Sequence, residues 1–379
     1  MATSSKRGSL KTPQSRVSKL HSTRISELQD KMRKEKIDLC LVNHPLDLYY
    51  FTGLQLSLGQ LFVHRTSAKL FVDGRYLAVA EKDSPVSVGL PQESAILEFL
   101  LQCKAKKLIF DSGHSSYDHY LALKTLLRKL KTSCELKPLS SFFNRLRRIK
   151  DPQEVKWMQA SAELLYKGFE HVRTLLKVGV SELEVARGFE IFCLEHGAEK
   201  MAFDPIIAFG ANSALPHHRA SSTRLAKADV VLIDIGVVLN KYHSDMTRML
   251  FFKSIDPFMG TVYEVVRAAQ KAALKLAKPG VAVGKLDEAA RLVMRRHKME
   301  SHFVHSLGHG IGLETHESPR IKFDGDEKGL ILEPGMVITI EPGLYYPGKG
   351  GVRYEDTVVI TKKGYQNFFP DMNKRQLLI

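Results

Sequence analysis

Long uncharged apolar runs are missing from this chain. A membrane-spanning helix needs about 18 or more such residues, and the best stretch, 230–239, is interrupted by Asp234. No membrane association is expected. Cysteine is scarce. Cys40, Cys103, Cys134 and Cys193 lie far apart, and none forms a Cys-x-x-Cys pair. That spacing argues against a disulfide framework and predicts reduced, mostly buried thiols in a reducing, cytoplasmic setting. Acidic residues are absent before Glu27, while Lys6, Arg7, Lys11, Arg16, Lys19 and Arg24 precede it among many Ser and Thr. A segment of that kind fits a disordered tail or an organelle transit peptide, and composition favours a tail over residues 1–23. It has no apolar h-region, which argues against a secretory signal. The net charge is +15, yet the basic residues are scattered and no basic motif is interleaved with aromatics. Nucleic acid is therefore not an expected partner.

What is present describes a folded protein of two domains. A length of 379 residues exceeds one ordinary core, and 44% hydrophobic with 26% charged residues is a globular composition. Residues 25–36 have helical apolar spacing at Ile25, Leu28 and Met32. Strand-like runs follow at 37–42, 60–63, 69–72 and 107–111, then a helix over about 117–130. Strands alternating with helices predict an α/β domain over residues 24–140. Pro138, the basic run 145–150 and Asp151-Pro152 mark a boundary. Asp151, Pro152 and Glu154 form a strong helix start, and Ser181 with Glu184 forms another. Gly179 and Gly197 are natural stops. The arrangement recurs later in the chain. A helix over 257–278 ends at Pro279-Gly280-Val281, echoing Val178-Gly179-Val180, and a second helix covers 286–297. Residues 150–379 thus read as an α+β domain with an internal duplication and a pseudo-twofold axis, its site lying between the halves.

Acidic residues in apolar strands mark that site. Asp234 interrupts the strand 229–239, Asn240-Lys241 is a two-residue turn, and 242–252 is the return strand. If Leu239 faces Tyr242, Asp234 faces Thr247 and Asp245 faces Gly236. The two Asp then share one sheet face at about 7–8 Å between Cα atoms. An ionised carboxylate in such a strand is costly unless paired or bound to a cation. The run 336–341 ends in Glu341, and 351–360 places Arg353 and Glu355 on one face with Asp356 on the other. Between these strands, Gly308, Gly310 and Gly312 surround His309. Four carboxylates and one imidazole match two divalent cations. Oxygen-rich ligation without thiolate suits manganese, cobalt or iron(II), with zinc possible. His217, His305 and His316 stand near these motifs and could bind substrate or shuttle a proton.

Together, Asp234, Ser244-Asp245-Met-Thr-Arg248, Gly308-His309-Gly-Ile-Gly312, Glu341-Pro-Gly343 and Arg353-x-Glu355-Asp356 resemble the pita-bread metallopeptidases, which include aminopeptidase P, prolidase and methionine aminopeptidase. All five metal-ligand positions are matched in order. Arg24, Tyr50-Phe-Thr-Gly53 and Asp73-Gly-Arg-Tyr76 resemble the amino-terminal domain of aminopeptidase P, prolidase and creatinase, which methionine aminopeptidase lacks. The resemblance implies a creatinase-like α/β amino-terminal domain followed by an α+β pita-bread catalytic domain. It implies that Asp234 chelates one metal, that Asp245 and Glu355 bridge both, and that His309 and Glu341 complete the second. His217, His305, His316 and Arg353 match positions that line the site in proline-directed members. Manganese is the metal implied first, and a homodimer or larger assembly is implied. The leading expectation is an Xaa-Pro aminopeptidase acting on peptides with proline second. The alternatives are a prolidase, which cleaves Xaa-Pro dipeptides, and a non-catalytic pita-bread binding module.

Overall fold

The computed structural model describes residues 13–130, 133–372 and 374–379. It divides into two compact units, Met1–Leu146 and Arg147–Ile379. Among the described residues, no helix is long and apolar enough to cross a membrane. All four cysteines are free thiols.

The first unit is built on a six-stranded mixed sheet. Strand Leu39–Val42 lies inside it, antiparallel to Gln60–His64 and parallel to Lys107–Asp111. All four of its residues are buried, as expected of a strand covered on both faces. Leu39 and Leu41 pack with Phe62, Phe71 and Phe99 in one core cluster, which also takes in Leu123 and Leu127 of helix Tyr117–Arg128. Cys40 contacts Met32 of helix Pro13–Lys34 instead, sulfur to sulfur at 3.6 Å.

That helix corrects part of the tail expected over residues 1–23. It begins at Pro13, while residues 1–12 lie outside the described residues. The buried stripe Ile25, Leu28 and Met32 extends one turn further back through His21 and Arg24, which are also buried. His21 Nδ1 and Arg24 Nη1 both reach the carbonyl oxygen of Tyr50, at 2.9 and 3.0 Å, and the Arg24 guanidinium stacks 4.1 Å from the Tyr50 ring centroid. Polar residues thus cover apolar surface with their stems and rings, which composition alone does not reveal.

The second unit repeats a helix pair. Helices Pro152–Leu175 and Glu182–Glu195 form the first pair, and both carry the expected capping boxes, Asp151 with Glu154 and Ser181 with Glu184. Helices Pro257–Leu274 and Val283–Arg296 form the second. The turns between the helices match bond for bond. Gly179 and Gly280 both take positive φ. Their N–H groups donate to Leu225 and Leu332, and these residues donate back to Val180 and Val281. Glu182 N–H donates to Thr223 as Val283 N–H donates to Leu330. The inferred duplication is therefore present in the backbone.

Each half supplies a sheet. Ile206–Phe209, Val230–Ile235 and Met246–Phe251 form one, with Val230–Ile235 central. The other orders Glu317–Ile321, Gly308–Gly310, Val337–Ile340, Asp356–Ile360 and Tyr365–Asn367. Buried side chains of both sheets and of all four helices join one core, from Leu165 and Phe189 to Val266, Leu286, Ile338 and Val358.

Candidate metal centre

Asp234 and His309 lie within strands, and Asp245, Glu341 and Glu355 sit where strands end or break. The hairpin register is the expected one, with Leu239 opposite Tyr242 and Asp234 opposite Thr247. Asn240 and Lys241 both take positive φ, as a two-residue hairpin turn requires. The hairpin is interrupted at Gly236 on one side and at Ser244-Asp245 on the other. A Cβ on Gly236 would collide with the Ser244 carbonyl, so glycine permits the close approach that turns Asp245 inward. His309 lies in strand Gly308–Gly310, Glu341 directly follows Val337–Ile340, and Glu355 sits between Gly350–Arg353 and Asp356–Ile360.

These side chains converge. Ligand atoms of Asp245, His309 and Glu355 lie within 4.8 Å of one another. His309 Nε2 is 3.4 Å from Glu341 Oε1 and 3.9 Å from Asp245 Oδ2. Asp234 is paired with Arg353 Nη2. Thr247 Oγ1 donates to Glu355 Oε2 at 2.8 Å and accepts from Arg353 Nε at 3.1 Å, tying the two halves of the cluster together.

The donor set fits bound cations. Asp234 Oδ1, Asp245 Oδ1 and Glu355 Oε1 are buried without a hydrogen-bond partner. Buried polar atoms are rarely left so, because each forfeits its solvation. His309 Nδ1 lies 2.9 Å from the Gly310 carbonyl, which can only accept, so Nδ1 carries the proton and the Nε2 lone pair faces the acids. Burial, helped by His316, lowers the His309 pKa to about 3 and keeps the ring neutral. The carboxyls are driven the other way. Burial, then repulsion from the neighbouring acids, raises Asp245 and Glu341 well above the usual carboxylate range and pushes Glu355 up to about 8. Several carboxylates around one guanidinium are an electrostatic deficit that divalent cations would cancel.

The remaining candidates surround this cluster. Arg353 donates to Tyr345 Oη at 2.7 Å and to the Pro216 carbonyl at 3.3 Å. Tyr345 Oη lies 2.9 Å from His305 Nε2, and His305 Nδ1 lies 2.8 Å from the Ser306 carbonyl. Since that carbonyl only accepts, His305 carries its proton on Nδ1 and Tyr345 donates to Nε2. Burial, then the Arg353 charge, lowers His305 to about 3. The His316 ring meets His309 edge-on at 4.4 Å between centroids. His217 is exposed and close enough to His305 and His316 to act on them electrostatically. Arg248 pairs with Asp356 at 2.8 Å outside the cluster, and Asp356 takes no part in it.

Tyr345, Thr247 and Thr339 were not singled out by sequence. Thr339 Oγ1 accepts from the His309 N–H at 3.1 Å and lies 3.4 Å from Glu341 Oε1. Thr247 had a signal, since the hairpin register set it opposite Asp234. Tyr345 had none.

A duplicated α+β unit that brings acids and one neutral imidazole to a common point defines a candidate metal centre, and similarity places it among the metal-dependent peptidases. Known proteins agree. Residues 156–362 match the model of metallopeptidase family M24, and residues 24–149 match the creatinase/prolidase N-terminal domain. The chain belongs to metallopeptidase family M24. It is 36% identical over 343 residues to the Xaa-Pro dipeptidase of Pyrococcus furiosus, covering 90% of this chain and 96% of that protein. The solved prolidase from Pyrococcus furiosus superposes with a TM-score of 0.81 at 35% identity, over 91% of this chain and all (100%) of that one. An X-Pro aminopeptidase from Thermotoga maritima gives a TM-score of 0.81 at 28% identity, over 91% and 98%. The creatinase-like domain followed by a pita-bread catalytic domain is thus the observed architecture.

Proposed function

We propose that this protein is an Xaa-Pro dipeptidase that uses two divalent metal ions held by Asp234, Asp245, His309, Glu341 and Glu355. One observation carries the metal chemistry: buried carboxylate oxygens without donors gather beside an imidazole nitrogen whose lone pair is free. The preference for a dipeptidase over the aminopeptidase expected first rests on similarity. In structural superposition the two Pyrococcus prolidases match at 35% and 34% identity, against 28% for the Thermotoga aminopeptidase.

When bound, such a metal pair supplies an ionised water and polarises the scissile carbonyl. The protein's own residues do the rest. Asp245 and Glu355, central to the cluster, would hold the metal ions together with Asp234, His309 and Glu341. Arg353 holds Asp234 in place and fixes Tyr345. Tyr345 keeps His305 in one tautomer, and burial pushes its phenol up to about 12, so it stays a donor. His316 and His217, at the exposed edge, bind substrate or carry a proton. Proline suits a dedicated site because an Xaa-Pro amide has no N–H and a fixed φ, which a general peptidase cannot use. Oxygen-rich ligation with one imidazole suits manganese, cobalt or iron(II), with zinc possible, and the family resemblance puts manganese first. The family resemblance adds a homodimer or larger assembly, which light scattering reads directly.

The deciding experiment compares Xaa-Pro dipeptides with Xaa-Pro-Yaa-Yaa tetrapeptides on the manganese-loaded protein, with products identified by mass spectrometry. Cleavage of dipeptides only is expected. Comparable kcat/KM on the tetrapeptides would restore the aminopeptidase reading.

A further inference from the structure

Glu182 is a fully buried carboxylate outside the metal cluster. Its oxygens accept from Phe209 N at 2.8 Å, Asn212 Nδ2 at 2.9 Å, Ser221 N at 2.9 Å, Ser221 Oγ at 2.6 Å and His218 Nε2 at 2.8 Å. Burial alone would raise its pKa. The hydrogen bonds from Ser221, Asn212, His218 and Phe209 outweigh that and hold it below the usual range. All of these donors belong to residues 209–221, the segment that carries His217. The two neighbours of His217 are also fixed. On one side the Pro216 carbonyl accepts from Arg353 at 3.3 Å. On the other, the His218 ring is tied to Glu182, with side-chain exposures of 9% and 0%.

A purely structural reading makes Glu182 part of the helix start. The duplicated half tests that reading. There Val283 occupies the matching place and makes the same backbone bond, to Leu330, with no carboxylate at all. The helix entry therefore does not need the acid. What the first half has in addition is a carboxylate that accepts from residues on both sides of His217, Phe209 and Asn212 before it and His218 and Ser221 after it.

We propose that Glu182 and His218 are positioning residues, a clamp that fixes the His217 imidazole at the rim of the metal cluster. The inference rests on the peptidase reading above for its catalytic consequence, but the clamp itself can be read without substrate. Amide hydrogen exchange of the full-length, manganese-loaded protein should rise over 215–221 in His218→Ala, and His218→Gln, which keeps a donor near Glu182, should restore most of the protection. Unchanged exchange in His218→Ala would overturn the clamp.

The kinetic arm uses a double-mutant cycle. His218→Ala should lower kcat/KM on the Xaa-Pro dipeptide by about tenfold or more, as a small misplacement of an active-site group does, with metal content unchanged. In a His217→Ala background the same change should cost nothing further, because the residue it positions is gone. An equal loss in both backgrounds would mean that His218 acts on the fold generally, and would overturn the proposal. If the wild type cleaves no Xaa-Pro peptide while exchange responds as stated, the clamp stands and the functional reading fails.

Discussion

Asp245 combines two properties that pull a substitution in opposite directions. Its Oδ1 has no donor, and burial and neighbouring acids oppose its charge. Asp245→Asn keeps the shape and removes the charge. With metal present it should cut kcat/KM by about a thousandfold, which several kcal/mol of lost charge stabilisation corresponds to. Without metal it should leave the melting temperature unchanged or raised, because the amide has no ionised form for burial and the neighbouring acids to oppose. A metal-free variant that melts well below metal-free wild type would contradict this account of the cluster. Much of the site was legible at this scale. Asn240-Lys241 fixed the hairpin register, and register fixed which face Asp234 and Thr247 share. Tyr345 and the Glu182 clamp were not legible, because their partners come from distant segments and no local pattern marks a hydrogen bond between such residues.

Among the elements, the two helix pairs make a controlled comparison. Ser181 caps helix Glu182–Glu195 by accepting from Glu184 N–H at 3.2 Å, and the Glu184 carboxylate accepts in return from the Ser181 N–H at 2.8 Å. At the matching place Ala282 begins helix Val283–Arg296 with extended φ and ψ of −71° and 136° and no side-chain cap. Ser181→Ala should therefore destabilise the protein by about 1 kcal/mol, and Ala282→Ser should stabilise it by a similar or smaller amount. Denaturant melts of the two variants check both signs, and destabilisation by Ala282→Ser would refute the equivalence of the two starts. Helix starts were readable in the sequence because capping is local chemistry. The start of helix Pro13–Lys34 was misread because His21 and Arg24 are polar in composition yet buried against Tyr50.

For the whole molecule, the metal cluster couples stability to pH with a sign that depends on pH. In the metal-free protein Glu355 is pushed from an ordinary 4.5 up to about 8, and Asp245 and Glu341 move the same way. A carboxyl with a raised folded pKa contributes stability below its unfolded value and loses it as pH climbs toward the folded one. The buried histidines act oppositely. His305 and His309 fall from 6.5 to about 3, so between those values stability rises with pH. Above pH 6.5 the histidine contribution is level and the carboxyl contribution alone remains. Metal-free protein should thus lose stability between pH 6.5 and 8, by up to about 1.4 kcal/mol per pH unit for each carboxyl still protonated. Bound cations neutralise the acids, so the manganese-loaded protein should show no such decline, and the stabilisation by metal should be larger at pH 8 than at pH 6.5. Thermal melts of chelator-treated and manganese-loaded protein across that interval measure both slopes. A chelated protein as stable at pH 8 as at pH 6.5 would mean that the acids do not crowd one another as the geometry requires.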